Sequence, residues 1–293
     1  MVEPQVTLIT LSPEELATQQ FESHNLQHAI EALHRDGIVV LKNAVSTEHL
    51  DKLNARMVPE AKTLYDKAST HRNFGSTTGN IQQEPTLEKD FVFQDVLANP
   101  FALQAVQCMF GPHPSLRLYS ANTAFKADNR QPVHIDVDFD FPQIPWGYAI
   151  NINLVDTSPE NGATEVWLGS HVDATRDNID RNSQYKQVRA DLLEERRKIS
   201  PGIQPSLPKG SLIIRDMRLW HAGMPNRMDE PRIMLVTILF PHWYRSDQKV
   251  LLPRSLKEQV DRWEYVDASS VEWVDEDYDY LQGRHDHDFS LKP

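Results

Sequence analysis

A mainly β protein with flanking helices is the fold class this 293-residue sequence predicts. Three observations predict it. Short β-rich runs separated by turn residues fill the stretch 116–245, the pattern of a sandwich or barrel. The first 115 residues carry helical stripes with one strand inserted. The remainder, 246–293, is acidic and aromatic and lacks either period. The length fits one domain over 1–293, with a helical front (1–115), a β-barrel core (116–245) and a tail (246–293).

The front opens on Ser12-Pro13-Glu14-Glu15, a helix start with a capping residue, Pro in the first turn and Glu three after the cap. Residues 24–35 place Leu26, Ala29, Ile30 and Leu33 on one helical stripe, and Gly37 offers a left-handed stop. Ile38-Val39-Val40-Leu41 reads as a buried strand. Ser46 caps a further helix with Leu50, Leu53 and Met57 on one face. Residues 72–87 read as a loop. Cys108, the one cysteine, excludes a disulfide framework, and its apolar surroundings predict a buried thiol. In the core, strands are expected at 116–119, 149–155, 165–168, 212–214 and 233–240, with Asn161-Gly162 as a hairpin signal. The charged stretch 175–200 reads as an exposed insertion, helical over 184–197.

Net charge is −12, from 30 Lys+Arg against 42 Asp+Glu. That balance excludes nucleic acid and anionic membrane as main partners. No apolar stretch is long enough to span a bilayer. The sequence shows neither a secretory signal at Met1 nor a peroxisomal address at Pro293, so a cytoplasmic location is expected. The tail's Trp263, Tyr265, Trp273, Tyr278 and Tyr280 predict that it packs on the core or on a partner subunit.

The chemistry is carried by one His-x-Asp pair among four. His34/Asp36 and His49/Asp51 fall in helical patterns, where i and i+2 do not share a face, and read as solvated surface. His171/Asp173 leaves its strand through a Gly-Ser turn. His134/Asp136 lies in Val133-His134-Ile135-Asp136-Val137-Asp138-Phe139, where alternation puts the polar groups on one face and Val133, Ile135 and Val137 on the other. His221, after the strand at 211–214, is the candidate third ligand. Two His and one carboxylate on one face leave open positions on non-haem Fe(II), where a 2-oxo acid and O2 bind. The second carboxylate of 2-oxoglutarate needs a charge partner. Arg232 opens an interior strand, whereas Arg227 sits in a polar turn, so Arg232 is the expected anchor.

His134-x-Asp136, the run Asn161-Gly162-Ala163-Thr164-Glu165-Val166-Trp167-Leu168-Gly169-Ser170-His171, and His221 followed by Arg232 together resemble the phytanoyl-CoA dioxygenase family. Asp36-Gly37-Ile38-Val39-Val40-Leu41 resembles that family's opening strand. The resemblance runs from about 25 to 245 and leaves the tail uncovered. It implies a double-stranded β-helix (jelly-roll or cupin-like), with Fe(II), 2-oxoglutarate and O2 as cofactor and co-substrates. It implies His134, Asp136 and His221 as iron ligands, Arg232 as the 2-oxoglutarate clamp, and His171 as structural.

Asn151 stands where many members carry Trp, which is similar to the fungal secondary-metabolite branch and its dimers. Asn151 can donate to 2-oxoglutarate or serve as a satisfied core amide. Gln82, in the glycine- and Thr/Gln-rich stretch 73–83, joins it as a candidate co-substrate contact, and that stretch as a candidate lid. Asp136 stands where related halogenases carry Gly or Ala, so hydroxylation, desaturation or ring formation on a small organic molecule is expected. Asp138, Phe139, Asp140, Phe141 and Trp146 are candidates for the mouth of the site, with packing and surface charge as the competing reading. His285-Asp286-His287-Asp288 reads as a solvated tail rather than a metal tract. The rival function is a non-catalytic metal-binding barrel for a small molecule or protein partner.

Overall fold

The computed structural model describes residues 4–282 and 287–292. Its helices are α1 (Pro13–Thr18), α2 (Ser23–Asp36), α3 (Thr47–Tyr65), α4 (Gln94–Leu97), α5 (Pro100–Phe110), α6 (Ala190–Ile199) and α7 (Lys257–Val260). Its strands are β1 (Leu8–Thr10), β2 (Ile38–Lys42), β3 (Asn80–Gln83), β4 (Ser115–Ala124), β5 (Tyr148–Asn153), β6 (Glu165–Val166), β7 (Leu212–Asp216), β8 (His221–Ala222), β9 (Arg232–Phe240), β10 (Val250–Pro253) and β11 (Val271–Val274).

The helix signals act as read. Ser12 and Glu15 form the capping box of α1, and Ser46 caps α3 through His49 N. Gly37 ends α2 in the left-handed region at φ 76°. A Cβ there would also meet His171 Nδ1 at 2.6 Å, so conformation and space both require glycine.

Seven strands form one sheet in the order β1-β2-β7-β5-β9-β4-β3. Alternation splits its two faces. Tyr148, Ile150 and Ile152 of β5 and Ile233, Leu235 and Leu239 of β9 join the core that α2, α3 and α5 cover. Ala149, Asn151 and Asn153 share the other face with Arg232, Met234 and Val236. Opposite that inner face lies a smaller layer. It consists of β6 paired with β8, plus single bridges joining His134 to His221 and Gln187, Val166 to Ile203, and Ile179 to Val188. Leu118, Ala149, Val236 and Ile238 of the large sheet meet Ile135, Trp167 and Trp220 of the small layer in one apolar cluster. This is the expected double-stranded β-helix architecture, but the layers face each other without closing into a barrel.

Several expectations change. The front contributes three strands, not one, and all three belong to the large sheet. β3 lies inside the expected loop 72–87. Its Asn-Ile-Gln-Gln sequence has little strand character, and backbone pairing with β4 makes it an edge strand. Asn161-Gly162 is a turn within a longer loop, because β5 and β6 go to different layers. Residues 133–139 keep their alternating burial (Val133, Ile135 and Val137 are all core), yet only His134 makes a sheet bridge. The helix expected from Gln184 begins at Ala190, since Gln187 and Val188 are held extended beside His134 and Ile179. Cys108 is exposed, in a last turn of α5 that runs past the core. Asp36 is buried and pairs with Arg35 at 2.6 Å.

The tail packs as expected. β10 and β11 pair in parallel, and Leu252, Leu256, Trp263 and Tyr280 join the helix-covered core. In the His285–Asp288 tract, His285 and Asp286 lie outside the described residues. No helix among the described residues is long and apolar enough to cross a membrane.

Candidate active site

The small layer brings together two histidines 87 positions apart in the chain. His134 N donates to His221 O at 2.9 Å and His221 N returns to His134 O at 3.2 Å. A pair that exchanges both bonds presents its two side chains on the same side, and the imidazole centroids lie 4.3 Å apart. The pairing extends through Gln131 N to Gly223 O at 2.8 Å, and Gln131 Oε1 accepts from Gly223 N at 2.8 Å. A Cβ on Gly223 would stand 2.6 Å from that amide, so a larger residue would displace the Gln131 side chain.

Asp136 completes the cluster. Its Oδ1 lies 3.3 Å from His221 Nε2 and 3.8 Å from His134 Nε2. One ligand atom from each of the three residues falls within 4.8 Å of the others. Each imidazole directs Nδ1 at a backbone carbonyl: His134 at Pro132 O (2.9 Å) and His221 at Leu219 O (3.0 Å). Donating the Nδ1 proton there leaves both Nε2 lone pairs directed into the cluster, the arrangement that metal-bound histidines adopt. Burial, reinforced by His221, pushes His134 down to about 3, so it stays neutral as a ligand must. Burial alone would raise the Asp136 pKa, but His221 and Arg215 hold it well below the usual carboxylate range. The residues therefore fit a divalent iron by donor type, tautomer and charge.

Arg232 enters from the first position of β9, on the inner face. Its Nε donates to Asn161 O at 3.1 Å, Nη1 to Asn153 Oδ1 at 3.0 Å and Nη2 to Gly162 O at 2.9 Å. All three acceptors are neutral, and no carboxylate pairs with Arg232 among the described residues. Burial lowers its pKa to about 10. A buried guanidinium without a counter-ion costs several kcal/mol, so the site is built for an anion. A guanidinium has five N–H donors, and one hydrogen on each Nη remains for a bidentate carboxylate.

Asn151 lies on the same face, 3% exposed, and its Nδ2 has no partner among the described residues. That excludes the satisfied-amide alternative. Gln82 is not brought to the cluster. It sits on β3, three strand spacings (about 14 Å) from β5, and donates to Ser120 Oγ at 3.2 Å beside His287.

The remaining candidates separate cleanly. Arg227 is exposed. His171 is buried, with Nε2 at His34 O (3.2 Å), and is structural in this fold. Trp146 is fully buried against Tyr244 and Phe141 is also core, as in the packing alternative, while Asp138 and Asp140 are exposed. Sequence reasoning missed two neighbours. Phe74 places its ring centroid 4.4 Å from that of His134, from the stretch 73–83 read as a candidate lid, in which Phe74 itself was not singled out. Arg215, 6% exposed, donates to Asp136 Oδ2 at 2.9 Å. Its signal was available: an Arg at an inner-facing position of an apolar strand.

The family model for phytanoyl-CoA dioxygenase (PhyH) matches residues 33–234, more than two thirds of the chain. The chain belongs to the phytanoyl-CoA dioxygenase family. Among curated proteins it is similar to dioxygenase af480 of Aspergillus fumigatus, at 26% identity over 274 residues, covering 88% of this chain and 81% of that one. Among solved structures it is similar to the epimerase SnoN of nogalamycin biosynthesis in complex with Fe3+, alpha ketoglutarate and nogalamycin RO. The TM-score is 0.57 at 18% identity, over 76% of this chain and 86% of that one. AviO1 of Streptomyces viridochromogenes Tue57 gives a TM-score of 0.54 at 19% identity, over 76% and 97%. These two likenesses show the fold. Family membership and the His-Asp-His cluster together make this phytanoyl-CoA dioxygenase family member an Fe(II)/2-oxoglutarate-dependent dioxygenase.

Proposed function

We propose that the chain, acting over 1–293 as one oxygenase domain, oxidises a small organic molecule of secondary metabolism by hydroxylation, desaturation or ring formation. The observation that carries this reading is the buried Arg232, without a counter-ion, on the inner face that also holds Asn151, beside a His-Asp-His cluster. In this reading His134 Nε2, Asp136 Oδ1 and His221 Nε2 hold the iron. Iron(II), 2-oxoglutarate and O2 supply the oxidation of a substrate C–H bond, with succinate and CO2 released. Pro132 O and Leu219 O fix the imidazole tautomers. The two spare Arg232 hydrogens receive the distal carboxylate of 2-oxoglutarate, and the Asn151 Nδ2–H donates to the same molecule. The ring of Phe74 shields the His134 side of the site from water.

The secondary-metabolite assignment is supported by the named context of SnoN and by Asn151 at the position the resemblance singles out. A homodimer accompanies the reading. Ile144 and Trp243, 57% and 46% exposed, are apolar surface available for it.

The deciding experiment is anaerobic addition of Fe(II) and 2-oxoglutarate. A weak visible charge-transfer band should appear in the wild type and vanish in His134→Ala. Tightly held zinc with no such band would overturn the reading.

A further inference from the structure

We propose that Arg215 is a positioning residue that divides the two oxygens of Asp136 and so makes this carboxylate a one-oxygen metal ligand. The inference rests on His134, Asp136 and His221 being the ligands, and deepens that reading.

Burial of Ile135 and Val137 anchors the backbone on either side of Asp136, but little else orients its carboxylate. Only His134 in its segment joins a sheet, so no backbone ladder fixes residue 136. Its own carbonyl receives one long contact, from Lys186 Nζ at 3.4 Å. Arg215, by contrast, projects from the middle of the large sheet, where β7 pairs with β2 on one side and β5 on the other. Its side chain is 7% exposed. Its cross-strand neighbours are Ile38 and the small Ala149, which leaves the guanidinium room to cross to the other layer. There Nη2 donates to Oδ2 at 2.9 Å, while Oδ1 is the oxygen that faces the two imidazole Nε2 atoms. Each oxygen thus has its own partner.

The Nη1 of Arg215 also lies 3.3 Å from His221 Nδ1. That nitrogen has one role per tautomer, and the shorter contact to Leu219 O takes its proton. Arg215 Nη1 therefore packs beside the ring without receiving a bond from it or giving one.

The consequence is a coordination count. A carboxylate with both oxygens free can bind a metal through two positions. With Oδ2 held by Arg215, Asp136 takes one, and three positions stay open beside the two histidines for the 2-oxo acid and O2. A cation this close also repels a bound dication. Arg215 thus carries two opposite effects on metal affinity, and the proposal requires that positioning outweighs repulsion.

The test is anaerobic titration of the full chain with Co(II), followed by its visible absorption, for wild type, Arg215→Met, Arg215→Lys and His134→Ala. Fe(II) and 2-oxoglutarate are then added to each to read the charge-transfer band. If Arg215 positions Asp136, Arg215→Met weakens Co(II) binding about 10–100-fold and shifts both spectra. Arg215→Lys, which keeps a single donor, recovers part of each. The double variant Arg215→Met/Asp136→Ala should lose no more affinity than Asp136→Ala alone.

Co(II) bound as tightly as in the wild type or tighter by Arg215→Met, with unmoved spectra, overturns the proposal. So does an additive loss in the double variant. If Arg215→Met does not fold by circular dichroism, Arg215→Lys carries the same comparison. Failure of the underlying ligand reading looks different: His134→Ala would then bind Co(II) like the wild type.

Discussion

At the residue scale, the site depends on how a few buried charges find partners. His134, Asp136 and His221 are mutually compensating, whereas Arg232 has only neutral acceptors. That asymmetry marks where an anionic molecule docks. Replacing Arg232 by Met should raise the dissociation constant for 2-oxoglutarate about 100-fold or more, as expected for removing one side of a buried charge pair. Metal binding should stay near the wild-type level, because Arg232 touches none of the three ligands. Isothermal titration with each component checks both halves, and unchanged 2-oxoglutarate affinity would sink the clamp assignment. His134, Asp136, His221, Arg232 and Asn151, the candidates of the proposed site, stood out in the sequence because alternation and order along the chain expose them. The placement of Gln82 on β3, two strands from Arg232, was not legible, because a sequence does not state how many strands separate two residues on one face. Arg215 was passed over because its partner, Asp136, lies 79 positions away.

At the element scale, irregular backbone does the positioning. The loop between β5 and β6 reads as a hairpin from Asn161-Gly162, but its use is to aim two carbonyls at Arg232. Gly162 has φ +76°, and a Cβ there would meet Met224 O at 2.6 Å and Asn226 N at 3.0 Å, both backbone atoms. Gly162→Ala should therefore destabilise the fold by about 1–2 kcal/mol from the left-handed conformation alone. It should also weaken 2-oxoglutarate binding, because the shift moves an acceptor of Arg232. Denaturant unfolding and a 2-oxoglutarate titration test the two effects, and a variant that loses neither would refute this role for the loop. The helices α1, α2 and α3 were legible from their caps and stripes, which are local, whereas α4, α5 and α7 carried no such signal and α6 starts six residues later than read. The small layer was not, because its bridges join segments whose partners lie far along the chain.

At the scale of the whole molecule, the large sheet ties front and core together, the tail packs against its helix-covered side, and one partly buried acid makes that assembly sensitive to pH. Glu84 follows β3, and its Oε1 has no partner among the described residues. Burial pushes it up to about 8 from 4.5, against a smaller opposing hydrogen bond from Ser120. The sign follows from linkage. A folded pKa above the unfolded one favours folding fully below about 4.5, and that contribution is lost as pH rises through about 8. Melting temperatures of wild type and Glu84→Gln should therefore diverge between pH 5 and pH 8, with the wild type losing ground, and run parallel above. Parallel curves throughout would show that the acid is not buried in the native state.

The sequence by itself determined the fold class and the starts of the first helices, and it singled out His134, Asp136, His221 and Arg232 as the candidate site. These rest on local rules: capping chemistry, periodicity, and the cost of an arginine on an interior strand face. Only the tertiary structure decided that the layers stay open, that 72–87 supplies an edge strand, that Gln82 sits on that strand and that Arg215 holds Asp136. Each of these depends on which distant segments pair. Pairing is set by the packing of two sheet faces against each other, a property of the assembled chain that no local window contains.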